Sequence, residues 1–466
     1  MKPKFQTDLD QLGPVLIYKI SVTLVPTENV LHGEAQISVP NNSPHLWNHL
    51  IFRLYPMLDQ YGGFMTIRSA SVDERPTSFV YQPGTDKTAL RVSLPKPLRP
   101  GQIEQVHLRW KLEIPKWQDL SSIYALFGES QQIISLPLFY PSLAVYDPTA
   151  RFGLGEWWTE NGNVRGDAAF NNISLFVVTA TLPSDQIPVT SGTLITETEV
   201  NDTQTQHIWV TGPAREFLLH TSPQFGSVYT ETNGTRVTSY WLPGHDAAGH
   251  AALTHAVASL RIYNDRFGEY PYRDLRIAPA PLNFRGMEYT NVSLLGVEVY
   301  FRFRNSLESL IAHEVAHQWW YQIVHNDPVN SPWLDEALAE YSIKLYVEAL
   351  YGDTTASRMQ ASRWQNRVNQ LQNRSLAIDQ PVMDFYSNGA YETIIYSKGA
   401  LFYDQVREIL GDRQFTKFLQ DYLNHYRYQI VSTSDWISAT QQLDNEMVDE
   451  LFREWVKNPT TVQSSQ

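Results

Sequence analysis

The sequence predicts a multidomain α and β protein, with an N-terminal, largely antiparallel β domain followed by a mainly helical domain. Three observations carry that reading. Through the first ~210 residues apolar side chains recur with period two, as in strands that bury one face. After Gly212-Pro213 the pattern changes, and from Asp246 onward most segments read as helices. At 466 residues the chain exceeds one ordinary domain, so two or three are expected.

The strands come first. Tyr18, Ile20, Val22 and Leu24 alternate with Lys19, Ser21 and Thr23. Leu31, Gly33, Ala35, Ile37 and Val39 do the same against His32, Glu34, Gln36 and Ser38. A third case, Val106, Leu108, Trp110, Leu112 and Ile114, follows a turn at Pro100-Gly101. Further strands are expected over 174–182 and 206–211. Few helical stretches interrupt them, so residues 1–213 are read as one antiparallel β domain. The second domain is placed over 214–457, and a polar, frayed tail over 458–466. Its first helix is the alanine-rich stretch 246–267, stopped by Gly268 and Pro271, with a short strand over 275–279. Later helices are expected over 354–371, 391–410, 413–425, 434–443 and 446–457.

Composition narrows the function classes. With 42% apolar and 18% charged residues, the chain can bury a large core. A net charge of −13 argues against a nucleic-acid binder, which would carry a basic face. No apolar run approaches the ~20 residues that span a bilayer. The start, MKPKFQTDLD, lacks the apolar core of a signal peptide. A leader removed upstream would leave the same start, so a cytoplasmic and an exported protein both stay open. Cysteine is absent, which excludes disulfides, thiolate ligands and cysteine nucleophiles.

The densest chemistry lies in His313-Glu314-Val315-Ala316-His317, followed by Glu336. Two histidines four apart on a helix share a face, so both imidazoles can address one ion. Glu314 sits beside them, where it could deprotonate a metal-bound water. Glu336 would be the third ligand, which leaves a fourth position open, as catalysis requires. A lone His-Glu-x-x-His arises easily by chance, so the surroundings matter. Asn305 and Glu308 read as a capping box, and the helix is expected to run to about residue 324. It would stop at His325-Asn326-Asp327-Pro328. A second helix has Ser331 as N-cap and Pro332 at its first position, with Glu336 in its first turn. A short connection between two such helices can fold Glu336 back onto the histidines.

Four features together resemble the M1 family of zinc aminopeptidases, the gluzincins related to aminopeptidase N and leukotriene A4 hydrolase. They are His313-Glu314-x-x-His317 with Glu336 at the family's spacing, and Gly286-Met287-Glu288, similar to its Gly-x-Met-Glu-Asn segment. The others are Trp333-Leu334-Asp335-Glu336-Ala337 around the third ligand, and Tyr396-Ser397-Lys398-Gly399. The resemblance implies a saddle-like N-terminal β domain, a thermolysin-like catalytic domain and one zinc ion on His313, His317 and Glu336. It implies that Glu314 is the general base and that Tyr396 stabilises the oxyanion. Glu288, with help from Glu336, would anchor the substrate's α-amine, and Gly286 and Met287 would line the substrate's path. Substrates would be peptides with a free N-terminus. Tyr391 is a further candidate for lining the site, and Glu340 for orienting a zinc histidine.

The chain also departs from the family pattern. Arg285 stands where a small residue is usual, and Tyr289 replaces an asparagine, which puts the first substrate pocket in doubt. Only about 60 residues follow the Tyr396 segment, too few for the family's large C-terminal helical domain. Three rival functions stay open: an epoxide hydrolase on the same site, a non-catalytic scaffold of the same fold, and an endopeptidase. Loss of a ligand or base would favour the scaffold, and Glu288 argues against the endopeptidase.

Overall fold

The computed structural model describes residues 1–116, 127–161, 165–282, 286–371 and 376–457. Arg285 and the expected tail over 458–466 lie outside the described residues. The chain divides into two compact units. The first comprises Met1–Val164, Ala169–Leu253 and Pro271–Arg304. The second comprises Arg165–Ala168, Thr254–Tyr270 and Asn305–Gln466.

The first unit is built on an eight-stranded sheet. Its centre is Leu16–Val25 beside Val30–Pro40, paired so that Tyr18 meets Ile37, Ile20 meets Ala35 and Leu24 meets Leu31. These pairs are buried, while Lys19, His32 and Gln36 point away, as the alternation predicts. Ile103–Glu113 continues the sheet beside Val30–Pro40, setting Gly33 opposite Trp110. A Cβ on Gly33 would stand 2.4 Å from the Trp110 ring, so only glycine fits under that indole. On the other side Ser174–Pro183 pairs with Leu16–Val25 in parallel, and Gln204–Val210 follows antiparallel. The sheet is therefore mostly, not wholly, antiparallel, because two strands so distant in sequence are not bound to a hairpin sense.

The same unit holds a five-stranded mixed sheet in the order Gly226–Thr232, Thr235–Trp241, Asp274–Ala280, Val292–Gly296 and Gly286–Tyr289. Gly286–Tyr289 is its last strand, with Glu288 opposite Ser293. Among the described residues it pairs on one side only.

The second unit is helical. Expected helices appear at Asp412–His425, Thr433–Gln441 and Glu446–Phe452. Helix Asp246–Arg266, whose residues up to Leu253 belong to the first unit, also stands where the alanine-rich stretch predicts it. The stretches expected over 354–371 and 391–410 are each broken by a π turn, Ala361–Gln365 and Thr393–Lys398. The core gathers on Trp333, whose ring meets Phe402, Tyr403, Trp436 and Phe452 within 6.3 Å. Its indole N–H donates to Asp379 and lies near Thr433 Oγ1, so the start of the helix behind it is tied down. Among the described residues no helix is long and apolar enough to cross a membrane.

Candidate metal centre

Two helices of the second unit carry the motif: Leu307–Ala316, here the histidine helix, and Trp333–Tyr351, the glutamate helix. Both starts differ from expectation. The histidine helix follows a 3₁₀ turn at Arg304–Ser306 with no capping side chain, and Glu308 instead accepts from the hydroxyls of Tyr346 and Tyr351. Partners in the folded unit outcompete the local cap. The glutamate helix begins at Trp333, with Pro332 at the cap position and no side-chain cap from Ser331. Both helices are fastened through Tyr263, whose hydroxyl lies within hydrogen-bond reach of the Ala312 and Ser342 carbonyls.

The larger correction concerns length. The histidine helix stops at Ala316 rather than near residue 324. Tyr321 has φ 140°, which no helix accommodates, and the chain turns between His317 and Val324. The turn frees the Trp320 carbonyl, which lies 2.9 Å from Nδ1 of His317. With Nδ1–H donating there, Nε2 of His317 keeps its lone pair for an ion.

Three donor atoms then converge. His313 Nε2 lies 3.1 Å from His317 Nε2 and 3.2 Å from Glu336 Oε2, and His317 Nε2 lies 3.3 Å from the same oxygen. Zinc bonds of about 2.0–2.1 Å in a tetrahedron put ligands roughly 3.3 Å apart, so the spacing fits a single ion. The charge balance agrees. Burial alone would raise Glu336, but the two histidines outweigh it and hold the carboxylate low. Glu340 is held down too, chiefly by the Arg363 guanidinium against the effect of burial. Burial would depress His313, yet Glu336 and Glu340 beside it push it up. Two buried imidazoles with the carboxylates of Glu336 and Glu340 against them make a place for a cation.

The other predicted residues fall around this cluster or elsewhere. Glu314 is buried, and desolvation pushes its carboxyl up to about 7, so it can hold a proton near neutrality. Tyr396, on the π turn Thr393–Lys398, donates its hydroxyl to Glu336 Oε1 at 2.5 Å. Gly399 is what lets that turn approach, since a Cβ there would stand 2.4 Å from Cβ of Ala337 on the glutamate helix. Tyr391 packs edge-on against Tyr396 with centroids 6.0 Å apart, one ring removed from the donor atoms. Glu340 Oε2 lies 3.3 Å from His313 Nδ1. Gly286, Met287, Glu288 and Tyr289 share the last strand of the five-stranded sheet, in the first unit, with Glu288 buried.

Sequence reasoning missed three groups near the donors. Arg363 and Trp364 bond Glu340, and the Trp320 carbonyl serves His317. No spacing rule announces a partner 23 residues away across a π turn. Asp335, beside the third donor in the sequence, is buried, and burial pushes its carboxyl up to about 7.

Residues 251–455 match the model of the Peptidase family M1 domain. The chain is 26% identical to Aminopeptidase M1-B of Oryza sativa subsp. japonica over 316 residues, which is 60% of this chain and 34% of that protein. It is 25% identical to the Leukotriene A-4 hydrolase of Xenopus laevis over 205 residues, covering 41% of this chain and 33% of that one. The chain thus spans about a third of the length of these curated relatives. Among solved structures it is similar to an M1 zinc metallopeptidase from Deinococcus radiodurans, with TM-score 0.73 and 20% identity. That match covers 96% of this chain and 94% of the other, so the two share a fold along nearly their whole lengths.

Proposed function

We propose, from the premise that this chain carries a peptidase family M1 domain, that it is a zinc aminopeptidase acting on peptides with a free N-terminus. The observation that supports it most is the convergence of His313 Nε2, His317 Nε2 and Glu336 Oε2 at tetrahedral spacing, with the Glu314 carboxyl on the same helix. When bound, zinc supplies Lewis acidity that polarises the scissile carbonyl and lowers the pKa of water to about 7.

Everything else falls to the chain's own side chains. Glu314 takes the proton of the attacking water and passes it to the departing amine. A carboxyl raised to about 7 suits both halves of that transfer at neutral pH. Tyr396 donates its phenolic hydrogen bond to the oxyanion as charge develops there. Its present bond to Glu336 supports this role, because it keeps a protonated donor beside the ligand set. Glu288 pairs with the substrate's α-ammonium group, and a blocked N-terminus would leave that buried carboxylate without its charge partner.

The deciding experiment is hydrolysis of a panel of aminoacyl p-nitroanilides beside their N-acetylated counterparts, with and without 1,10-phenanthroline. Cleavage of the free-amine series alone, lost with chelator and restored by zinc, is the expected result. Chelator-resistant cleavage would overturn the metal mechanism, and equal cleavage of acetylated substrates would overturn the role given to Glu288.

A further inference from the structure

Glu340 faces Nδ1 of His313 with one oxygen, and what grips it from behind comes from outside both motif helices. The helix Asp353–Gln360 opens into the π turn Ala361–Gln365. Two consecutive side chains of that turn reach the same carboxylate. Arg363 donates from Nε to Oε1 and from Nη2 to Oε2, the second at 3.1 Å, and Trp364 donates from Nε1 to Oε1 at 2.7 Å. A two-pronged guanidinium sets both the position and the rotation of a carboxylate, and a third donor removes the remaining freedom. Trp364 is fully buried and packs on Tyr341, so the indole is itself held. The π turn that carries Tyr396 packs against this one. Such turns inside helices recur at functional sites because the extra residue re-aims side chains.

We propose that Arg363 and Trp364 are positioning residues of the metal centre. By clamping Glu340 they fix the ring of His313, and therefore the place of its Nε2 among the three donors. Neither touches the donor atoms; both act through one carboxylate. The inference rests on the reading of this cluster as a zinc site. An ion pair that merely joined two helices would lower the melting temperature without changing the zinc affinity of folded protein.

The test uses the full chain stripped of metal, as wild type, Trp364→Phe, Arg363→Met, Glu340→Gln and the double variant Arg363→Met with Glu340→Gln. Zinc affinity is read by competition with a chromogenic chelator, and site geometry by the absorption spectrum of the cobalt(II)-loaded protein. Circular dichroism reports folding. Arg363→Met is expected to weaken zinc binding by about 10- to 100-fold and to change the cobalt spectrum, with a smaller loss for Trp364→Phe. The double variant should bind no more weakly than Glu340→Gln alone, because the arginine acts only through that carboxylate. Wild-type affinity and spectrum in both Arg363→Met and Trp364→Phe would overturn the proposal. Should Arg363→Met fail to fold, Trp364→Phe decides alone, since it keeps a six-membered aromatic ring in the core and loses the indole N–H donor. A wild-type chain that takes up no zinc would overturn the metal reading itself, a result distinct from unchanged affinity in the variants.

Discussion

The eight-stranded sheet and the glutamate helix bury side chains of opposite kinds. Strand Leu16–Val25 buries Leu16, Tyr18, Ile20, Val22 and Leu24, with their polar neighbours turned away. Burial there stabilises the fold by roughly 1.5–3 kcal/mol for each large apolar side chain. Helix Trp333–Tyr351 buries Trp333, Leu338 and Tyr341 in the same way, but also Asp335 and Glu340, beside the histidines of its partner helix. A buried carboxylate costs several kcal/mol of desolvation, so its presence is not explained by stability. The sheet is arranged for packing, whereas the helix accepts that cost to hold a charge pattern. Substitutions in the two regions should therefore separate cleanly into stability effects and activity effects.

The largest separation is expected from Glu314→Gln. It should lower kcat toward an aminoacyl p-nitroanilide by about 10²–10⁴-fold, with zinc content near one ion per chain. Near-normal turnover would remove Glu314 as the base. Tyr396→Phe follows, with an expected loss of about 10²–10³-fold in kcat and little change in zinc affinity. A fall in affinity equal to the fall in kcat would mean that the hydroxyl serves Glu336 rather than the oxyanion. On the other side of the comparison, Ile20→Ala in the sheet should cost about 2–5 kcal/mol in urea unfolding. Its kcat per folded molecule should stay at the wild-type value; a lowered kcat would show that the sheet shapes the site as well.

The smallest effect sits on a titratable group of the first unit. His220 is fully buried, its Nε2–H donates to the Pro279 carbonyl at 3.1 Å, and burial holds it down at about 4 against an ordinary 6.5. The unfolded chain takes up a proton below pH 6.5 that the folded chain refuses until about pH 4. Stability linked to neutral His220 is complete above the upper value and is lost as pH falls through that window, by at most about 3 kcal/mol. Urea melts at pH 7.0 and at about pH 4.5 should show a steeper decline in wild type than in His220→Phe. Equal slopes would mean that this imidazole does not refuse the proton.

Legibility in the sequence followed the range of the interactions. The central strands were readable because alternation is local: Tyr18 to Leu24 and Leu31 to Val39 announce their buried face residue by residue. The His313 and His317 pair was readable because four-residue spacing on a helix is geometry in itself, and Glu336 was readable through its resemblance to the family's spacing. The run of the histidine helix past Ala316 was misjudged, since apolar Trp319, Trp320 and Ile323 continue a helical pattern that the turn at Tyr321 interrupts. The Asn305–Glu308 cap was misjudged for the reverse reason, a local signal outbid by the distant hydroxyls of Tyr346 and Tyr351.

By itself the sequence determined the β-then-helix order and the pairing of His313 with His317, because both depend on periodicities of two and four residues. Only the tertiary structure decided how those residues are held. It chose the Trp320 carbonyl for His317, brought Tyr396 to Glu336 over the bare Cα of Gly399, and set Arg363 and Trp364 behind Glu340. Each of those contacts depends on where a turn or a π bulge aims a side chain, and the sum of packing in the folded unit sets that direction rather than any spacing along the chain.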